Sequence, residues 1–150
     1  MPAKSTKVGF VNPERLISQG PTILVQVGLD YDTYPDPNLD TMTSPVYALI
    51  DTGASNTCID KTLAVQIGLP IHGEPFLITG ISGPETVNIH LGQIHIPALG
   101  ETLSGLFPVV DLAGGGQHHK VLMGRDFLKS CKMFYDGTTG DVQIDLLQTT

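Results

Sequence analysis

The sequence is short of charged residues, and above all of positively charged ones. Only 15% of its 150 residues are charged, with 8 lysines and arginines against 15 aspartates and glutamates. A net charge of −7 cannot build a phosphate-binding surface, so we expect no nucleic-acid partner. A free-standing soluble domain has about 25% charged residues. Two explanations fit the deficit equally well: a surface covered by a partner chain, or a plain glycine- and threonine-rich β protein.

The sequence also lacks long apolar runs and has only two cysteines. No stretch approaches the roughly 18 apolar residues of a membrane span, and the lysines near the start are not followed by the apolar core of a secretory signal. We therefore expect no membrane partner and a cytoplasmic location. Cys58 and Cys131 each adjoin apolar residues and are expected to be buried free thiols. A single disulfide between them is the alternative.

Glycine and proline, by contrast, are plentiful and separate short apolar runs, which indicates many short strands. Residues 22–29 alternate between apolar and polar, whereas Val46–Ile50 is a nearly continuous apolar run typical of a strand buried on both faces. Residues 30–45 between them are predicted to be a long inserted loop. We expect one domain over residues 1–150. Residues 1–20 could be an N-terminal arm that acts as a removable pro-segment, as a dimer strand or as a disordered segment.

Further along, Asp60 is a suitable N-cap for a short helix over 61–67, which Gly68 would end. Two strands over 76–89 are predicted to form a hairpin around a glycine-rich tip at 80–84. The other expected elements are strands over 87–96, 106–110 and 121–123, a helical turn from 125 to about 130, and a closing hairpin of 133–135 and 142–146.

A carboxylate stands at the end of one predicted buried strand. Asp51 follows Ala-Leu-Ile and precedes Thr-Gly-Ala-Ser. Aspartate is rare in this position without a partner, because desolvation of its charge is costly. Taken alone, the motif also fits an aspartate that caps a turn through its own side chain. The second informative segment, residues 121–128, reads Val-Leu-Met-Gly-Arg-Asp-Phe-Leu.

Together the two segments resemble the retropepsin branch of the aspartic peptidases. Members of that family have an apolar strand ending in Asp-Thr-Gly-Ala and, further along, two or three apolar residues before a Gly-Arg-Asp that opens a helix. The resemblance covers residues 22–145. It implies an all-β fold, a closed barrel of six or more strands with one or two short helices, assembled as a homodimer. It also implies an aspartic endopeptidase, a hydrolase that cleaves peptide or protein substrates with an activated water and no cofactor.

The chemistry of this family needs two carboxylates about 3 Å apart that share one proton. Asp-Thr-Gly occurs only once in this sequence, since Asp40-Thr41 is followed by Met42 and Asp136-Gly137 lies in a predicted turn. Given the resemblance, the second carboxylate is expected to be Asp51 of another copy, across a two-fold axis. One carboxylate would act as base toward water and the other as acid toward the carbonyl.

The resemblance also assigns roles to the residues after Asp51. The hydroxyl of Thr52 is expected to bond across the two-fold axis, Gly53 allows a tight turn, and Ala54 and Ser55 are expected to line the cleft. Many viral members have an acidic residue at the position of Ser55, so viral substrate preferences do not transfer to this chain.

Two further groups complete the predicted site. The flap that closes over substrate is expected at Thr79, Gly80, Ile81, Ser82 and Gly83, with an ordinary surface hairpin as the alternative. Gly124, Arg125 and Asp126 are expected to support the catalytic loop. Arg125 is expected in a buried hydrogen-bond network that braces this loop, and an exposed arginine at a helix start is the alternative.

The remaining signals are weaker. His90 with His95, and His118 with His119, do not supply the three or four convergent ligands that zinc prefers, so we expect solvated histidines and no metal site. The acidic loop is expected to be a solvated insertion, although calcium or a basic partner would also suit it. Two other functions stay open. One is a catalytically weak or inactive retropepsin-fold module for dimerisation or peptide binding; the other is a metal-binding β-barrel.

Overall fold

A computed structural model describes residues 3–30, 42–80 and 83–147. The elements within these residues are strands and three short helices. In chain order they are β1 (Ala3–Val8), α1 (Pro13–Gln19), β2 (Thr22–Gly28), β3 (Val46–Ile50), β4 (Cys58–Asp60), α2 (Lys61–Ile67), β5 (Phe76–Gly80), β6 (Gly83–Val87), β7 (Ile89–Ile96), β8 (Glu101–Val110), β9 (Val121–Met123), α3 (Arg125–Leu128), β10 (Cys131–Asp136) and β11 (Asp141–Leu147).

Six strands close into a barrel in the order β2-β3-β9-β4-β8-β7. The predicted all-β fold with a closed barrel is therefore confirmed, although three short helices are present where one or two were expected. Alternation along β2 shows how the sequence builds the wall of the barrel, because Ile23, Val25 and Val27 are buried while Leu24 is 47% exposed. Ile94 and Ile96 of β7 add to the same apolar core. Burial of this core is the main favourable contribution to folding.

The first strand belongs to a second sheet, in the order β1-β11-β10. β1 pairs with β11 along its whole length, from Ala3 opposite Leu147 to Val8 opposite Val142. The predicted closing hairpin is confirmed as β10 and β11. The interpretation of residues 1–20 as a disordered arm is wrong for residues 3–20, which contain β1 and α1. The pairing of β1 was not predictable locally, because its partner lies at the other end of the chain.

One strand is less buried than its sequence indicates. β3 has the predicted bounds, but Tyr47 is 47% exposed, so burial on both faces is wrong. Tyr47 lies opposite Leu24 in the neighbouring strand, and Leu24 is also exposed. Phe10 packs against the tyrosine ring, edge to face at 6.2 Å between ring centroids. The described residues therefore cover Leu24 and Tyr47 on the outside of the barrel only in part.

The helix predicted after Asp60 is confirmed with its bounds. The Asp60 side chain accepts a hydrogen bond from the Leu63 amide, and Gly68 ends the helix in the left-handed conformation at φ 82°. Asp60 is fully buried, and its other bonds explain this, because its Oδ1 also accepts the amides of Leu112 and Ala113 at 3.0 and 3.1 Å. One buried carboxylate thus joins helix α2 to the start of the loop that contains Gly114, Gly115 and Gly116.

Residues 31–41 of the predicted inserted loop lie outside the described residues. At the end of this segment, Thr43 pairs with Val27 of β2. The Thr43 amide donates to the Val27 carbonyl at 2.8 Å, and the Thr43 hydroxyl accepts the Val27 amide at 3.1 Å. The chain therefore rejoins the barrel wall before β3 begins.

The expectation of solvated histidines is wrong for two of them. His90 and His119 are buried, 6% and 4% exposed. The His90 ring nitrogen Nδ1 lies 2.8 Å from the carbonyl of Leu69. The His119 ring lies between the Thr22 hydroxyl and the Gln117 side-chain oxygen, at 2.8 Å from each. These partners satisfy the rings in the interior. The part of the chain that the structure describes contains no group of three or more histidine, cysteine, aspartate or glutamate side chains able to hold a metal ion.

His119 is expected to make stability depend on pH. Burial, and then the neighbouring His118, lower the pKa of His119 from its ordinary value of 6.5. The unfolded chain therefore takes up this proton first as the pH falls, so the free energy of unfolding is unaffected above pH 6.5 and decreases below it. We expect acidification from about pH 7.5 to 5.5 to destabilise wild type more than His119→Gln. Urea unfolding at both pH values measures this, with the exposed His72→Gln as control. Parallel losses in wild type and His119→Gln would contradict it.

Both cysteines are free, Cys58 buried and Cys131 partly buried, which confirms the prediction of free thiols. No helix in the described ranges has the length and apolar character needed to cross a membrane.

Candidate active site

Asp51 is positioned by two parallel neighbouring strands of the barrel. β3 and β9 run side by side, with Ile50 opposite Met123. The Asp51 amide donates to the Met123 carbonyl at 2.9 Å, which extends the pairing by one residue. The two sequence motifs therefore end at the same edge, Asp51 after β3 and Gly124 after β9. The structure thus brings together two segments that are far apart in sequence.

The chain turns sharply after Asp51. One carboxylate oxygen, Oδ1, accepts the Gly53 amide at 2.8 Å, and the Ala54 amide donates to the Asp51 carbonyl at 3.2 Å. A Cβ at Gly53 would lie 3.1 Å from the same carboxylate oxygen, so glycine permits the close turn. No hydrogen bond within the described residues engages the other carboxylate oxygen. Asp51 is half-buried, and Thr52, Gly53 and Ser55 are exposed, so one side of the loop faces outward.

The segment after β9 is hydrogen-bonded to this turn. The Arg125 amide donates to the Ala54 carbonyl at 2.8 Å, and the Asp126 amide donates to the Ser55 carbonyl at 3.3 Å. The Arg125 guanidinium donates through Nη1 to the Thr52 carbonyl at 2.8 Å. The predicted brace is therefore seen as hydrogen bonds, but Arg125 is exposed in the single chain and not buried as expected.

Thr57 is a supporting residue that the sequence did not reveal. It is 1% exposed, and its hydroxyl donates to Asp126 Oδ1 at 2.7 Å while accepting the Gly124 amide at 3.1 Å. Its own amide lies 3.0 Å from both oxygens of Asp126. The available signal was a threonine directly before the apolar pair Cys58-Ile59, since a buried hydroxyl requires partners. The sequence does not identify Asp126 as the partner of Thr57, because the two residues lie 69 positions apart.

Gly124 has no room for a side chain. A Cβ there would lie 2.6 Å from the backbone carbonyl carbon of Asn56 and 2.9 Å from the Ala54 carbonyl oxygen. Its φ of −89° is open to any residue. Glycine is therefore required by the close approach of two backbone segments and not by its conformation. This contact sets the second motif directly against residues 51–55, the predicted catalytic loop.

The buried thiol of Cys58 lies close to the negative charges of this region. Burial, followed by the negative charges of Asp126 and Asp51, raises the pKa of the Cys58 thiol from 9.0 to about 12. Its Sγ donates to the Asn56 carbonyl at 3.3 Å. A thiol with this pKa stays protonated, and so it is a poor nucleophile and a poor metal ligand at neutral pH. The negative charges beside Cys58 therefore argue against a thiolate nucleophile in this region.

The predicted flap forms a two-stranded sheet of its own. β5 and β6 pair from Phe76 opposite Val87 to Gly80 opposite Gly83. Ile81 and Ser82, at the predicted tip, lie outside the described residues. Thr79 and Gly80 are exposed, and added Cβ atoms at Gly80 and Gly83 would meet nothing within 4 Å. Among the described residues no hydrogen bond joins this hairpin to the catalytic loop, so its role as a flap stays a prediction.

The sequence matches the family model described as "gag-polyprotein putative aspartyl protease" over residues 41–130, which is more than half of the chain. This match spans both Asp51 and the Gly124–Asp126 segment. The chain belongs to this family. The recognition of a retropepsin-like protein from its two motifs is thereby confirmed.

The solved structure of a bacterial protein agrees with the family at the level of the fold. A retropepsin-like aspartic protease from Rickettsia conorii aligns over 95% of this chain and 98% of its own, with a TM-score of 0.51 and 13% identity. The EIAV protease in complex with the inhibitor HBY-793 aligns over 73% of this chain and 85% of its own, with a TM-score of 0.47 and 20% identity. No curated protein sequence matches this chain significantly.

Proposed function

We propose that the chain is an aspartic endopeptidase whose active site forms only when two copies meet. The supporting observation is the single Asp51, half-buried at a braced turn with one carboxylate oxygen left unengaged by the described residues. In the dimer, Asp51 of each subunit would contribute one of the two carboxylates. The deprotonated one takes a proton from the attacking water, and the protonated one donates its proton to the carbonyl oxygen of the substrate. No acyl-enzyme forms in this mechanism.

Three other aspartates, Asp111, Asp126 and Asp145, could be considered as the second carboxylate, and all three accept hydrogen bonds within the chain. Asp126 accepts the amide and hydroxyl of Thr57 and the amide of Phe127. Asp111 accepts the amide of Gly114, and Asp145 accepts hydrogen bonds from Ser5 and Gln143. Asp126 and Asp145 therefore have several partners within their own chain, whereas Asp111, like Asp51, accepts a single glycine amide but does not follow a buried strand in an Asp-Thr-Gly motif. This supports a second chain as the source of the second catalytic carboxylate.

The free edge of β10 is the surface that we propose for the dimer contact. Within the described residues β10 pairs only with β11, so its other edge has no partner strand. Phe134 and Tyr135 on this strand are each 57% exposed. The opposite edge of the sheet, β1, carries Lys4 and Lys7 near its two ends, a feature that discourages strand addition. β10 carries Lys132 near one end and Asp136 at the other, and the apolar stretch Met133–Tyr135 between them fits antiparallel pairing with β10 of a second copy.

Phe134→Asp is expected to weaken the dimer by about 10-fold or more, because it places a charge in an apolar contact. The specific cleavage activity should then fall with dilution at higher protein concentrations than in wild type. Sedimentation velocity and peptide cleavage over a dilution series measure the two effects. Val65→Asp, at a residue 65% exposed on α2, is the matched control. Equal behaviour of the two variants would reject the β10 edge as the interface.

The function itself is tested by incubation with a peptide library at several pH values. We expect cleavage with a bell-shaped pH profile on the acid side of neutrality, since the pair works only when it holds a single proton. A statine-type inhibitor, whose hydroxyl mimics the tetrahedral species, is expected to block it. Loss of cleavage on chelation of metals, or activity that rises steadily into the alkaline range, would contradict the proposal.

A further inference from the structure

A concave region lies beside the supporting residues Thr57 and Asp126. It has a volume of about 330 Å³ and lies between β8 and the start of α3. Thr57 and Asp126 form part of its lining, whereas none of residues 51–55 does. Its size falls at the lower end of the range for small-molecule sites. We name it the Asp126 pocket.

One wall of the Asp126 pocket is apolar. Leu103, Leu106 and Phe107 of β8 and Phe127 of α3 contribute to this lining. The two phenylalanines are almost fully buried, 7% and 6% exposed, while Leu106 is 49% exposed. The pocket therefore has a fixed aromatic part and an accessible apolar rim. Such a surface favours an apolar ligand body that is displaced from water.

The polar part of the pocket consists of Thr57, Thr102, Ser104 and the exposed Asp126, whose carboxylate is asymmetrically engaged. Asp126 Oδ1 receives the Thr57 hydroxyl at 2.7 Å, the Phe127 amide at 2.8 Å and the Thr57 amide at 3.0 Å. Oδ2 receives only the same Thr57 amide, which it shares at 3.0 Å. A carboxylate has about four acceptor positions in all. Oδ2 therefore retains capacity for a further donor from outside the chain.

We infer that the Asp126 pocket binds a small organic cation with an apolar body, such as an arylalkyl ammonium ion. The ammonium group donates to Asp126 Oδ2 and the apolar body lies against the leucines and phenylalanines. No lysine or arginine lines the pocket, and the chain as a whole carries a net charge of −7, so the site favours a cation over an anion.

A ligand in this pocket would lie one residue from the brace of the catalytic loop. Asp126 follows Arg125, which donates to the Thr52 carbonyl, and Asp126 is bonded to Thr57, which accepts the Gly124 amide. The inference stands on these contacts and on the lining of the pocket. It does not depend on peptide cleavage, so it holds or fails separately from the proposed function.

The test is a titration of the full ¹⁵N-labelled chain with 2-phenylethylammonium, followed by amide chemical shifts, beside its uncharged analogue 2-phenylethanol. We expect the amides of Thr57 and Phe127 to shift, with a dissociation constant on the order of 10 mM or lower for a ligand of this size. The cation should bind about tenfold more tightly than the alcohol, because only the cation forms a charge-assisted hydrogen bond.

Two charge-introducing variants locate the site. Leu106→Lys places a competing ammonium group at the rim and should weaken binding of the cation by about tenfold. Leu24→Lys adds the same charge at a leucine of similar exposure, 47% against 49%, on β2, and should leave binding unchanged. The inference is overturned if the cation and the alcohol bind equally, if neither binds in this range, or if both variants weaken binding to the same extent.

Discussion

Asp51→Asn is expected to lower the rate of peptide cleavage by about 10³-fold or more, because the amide can neither accept the proton of water nor share a proton with a second carboxylate. The fold should be retained. The side-chain oxygen of asparagine can still accept the Gly53 amide that Asp51 Oδ1 accepts at 2.8 Å. The free energy of unfolding should therefore change little, as is usual for substitutions that keep their contacts.

The measurement is cleavage of a peptide library, read by mass spectrometry, with urea unfolding of the same preparations. Asp111→Asn is the matched control, since Asp111 Oδ1 also accepts a nearby glycine amide, that of Gly114 at 2.9 Å. We expect this control to cleave like wild type. Full cleavage by Asp51→Asn would show that the catalytic carboxylate lies elsewhere.

Gly124→Ala is expected to reduce the free energy of unfolding by about 3 kcal/mol or more, at the upper end of the cost of overpacking. The new Cβ would lie 2.6 Å from the carbonyl carbon of Asn56, and backbone atoms on both sides leave no flexible group to give way. Relief of this overlap must move Asn56 or Ala54. The catalytic loop would shift, and cleavage should fall along with stability.

Gly115→Ala is the control for the loss of a glycine. An added Cβ at Gly115 meets only carbonyl oxygens at 3.5 and 3.7 Å, an ordinary contact distance. Urea unfolding of both variants should show a large loss for Gly124→Ala and a small change for Gly115→Ala. A Gly124→Ala protein within about 0.5 kcal/mol of wild type would contradict the close packing described here.

Elements with strong local signals were predicted with accurate bounds. Helix α2 is an example, because an N-cap at Asp60 and a left-handed glycine at Gly68 are properties of the immediate sequence. β9 was predicted for a similar reason, as an apolar run directly before Gly124. β4 was missed, since three residues are too few to show a period.

Contacts between distant segments were beyond local prediction. The bond between Thr57 and Asp126 joins residues 69 apart, and β1 pairs with a strand at the other end of the chain. The sequence pointed to Asp126 only through the family motif, and nothing near Thr57 identified it as the partner. The exposure of Tyr47 was missed because burial depends on what covers the outside of the barrel.

The central claim is that one active site requires two chains. Its direct test is to mix wild type with an equal amount of Asp51→Asn under conditions of subunit exchange, confirmed with differently labelled subunits. A mixed dimer holds one carboxylate and one amide, and only wild-type chains paired with each other remain active. Wild-type activity should therefore fall to about one half and decrease further as more mutant is added. Undiminished activity despite proven exchange would mean that each chain carries a complete site, and it would contradict the claim.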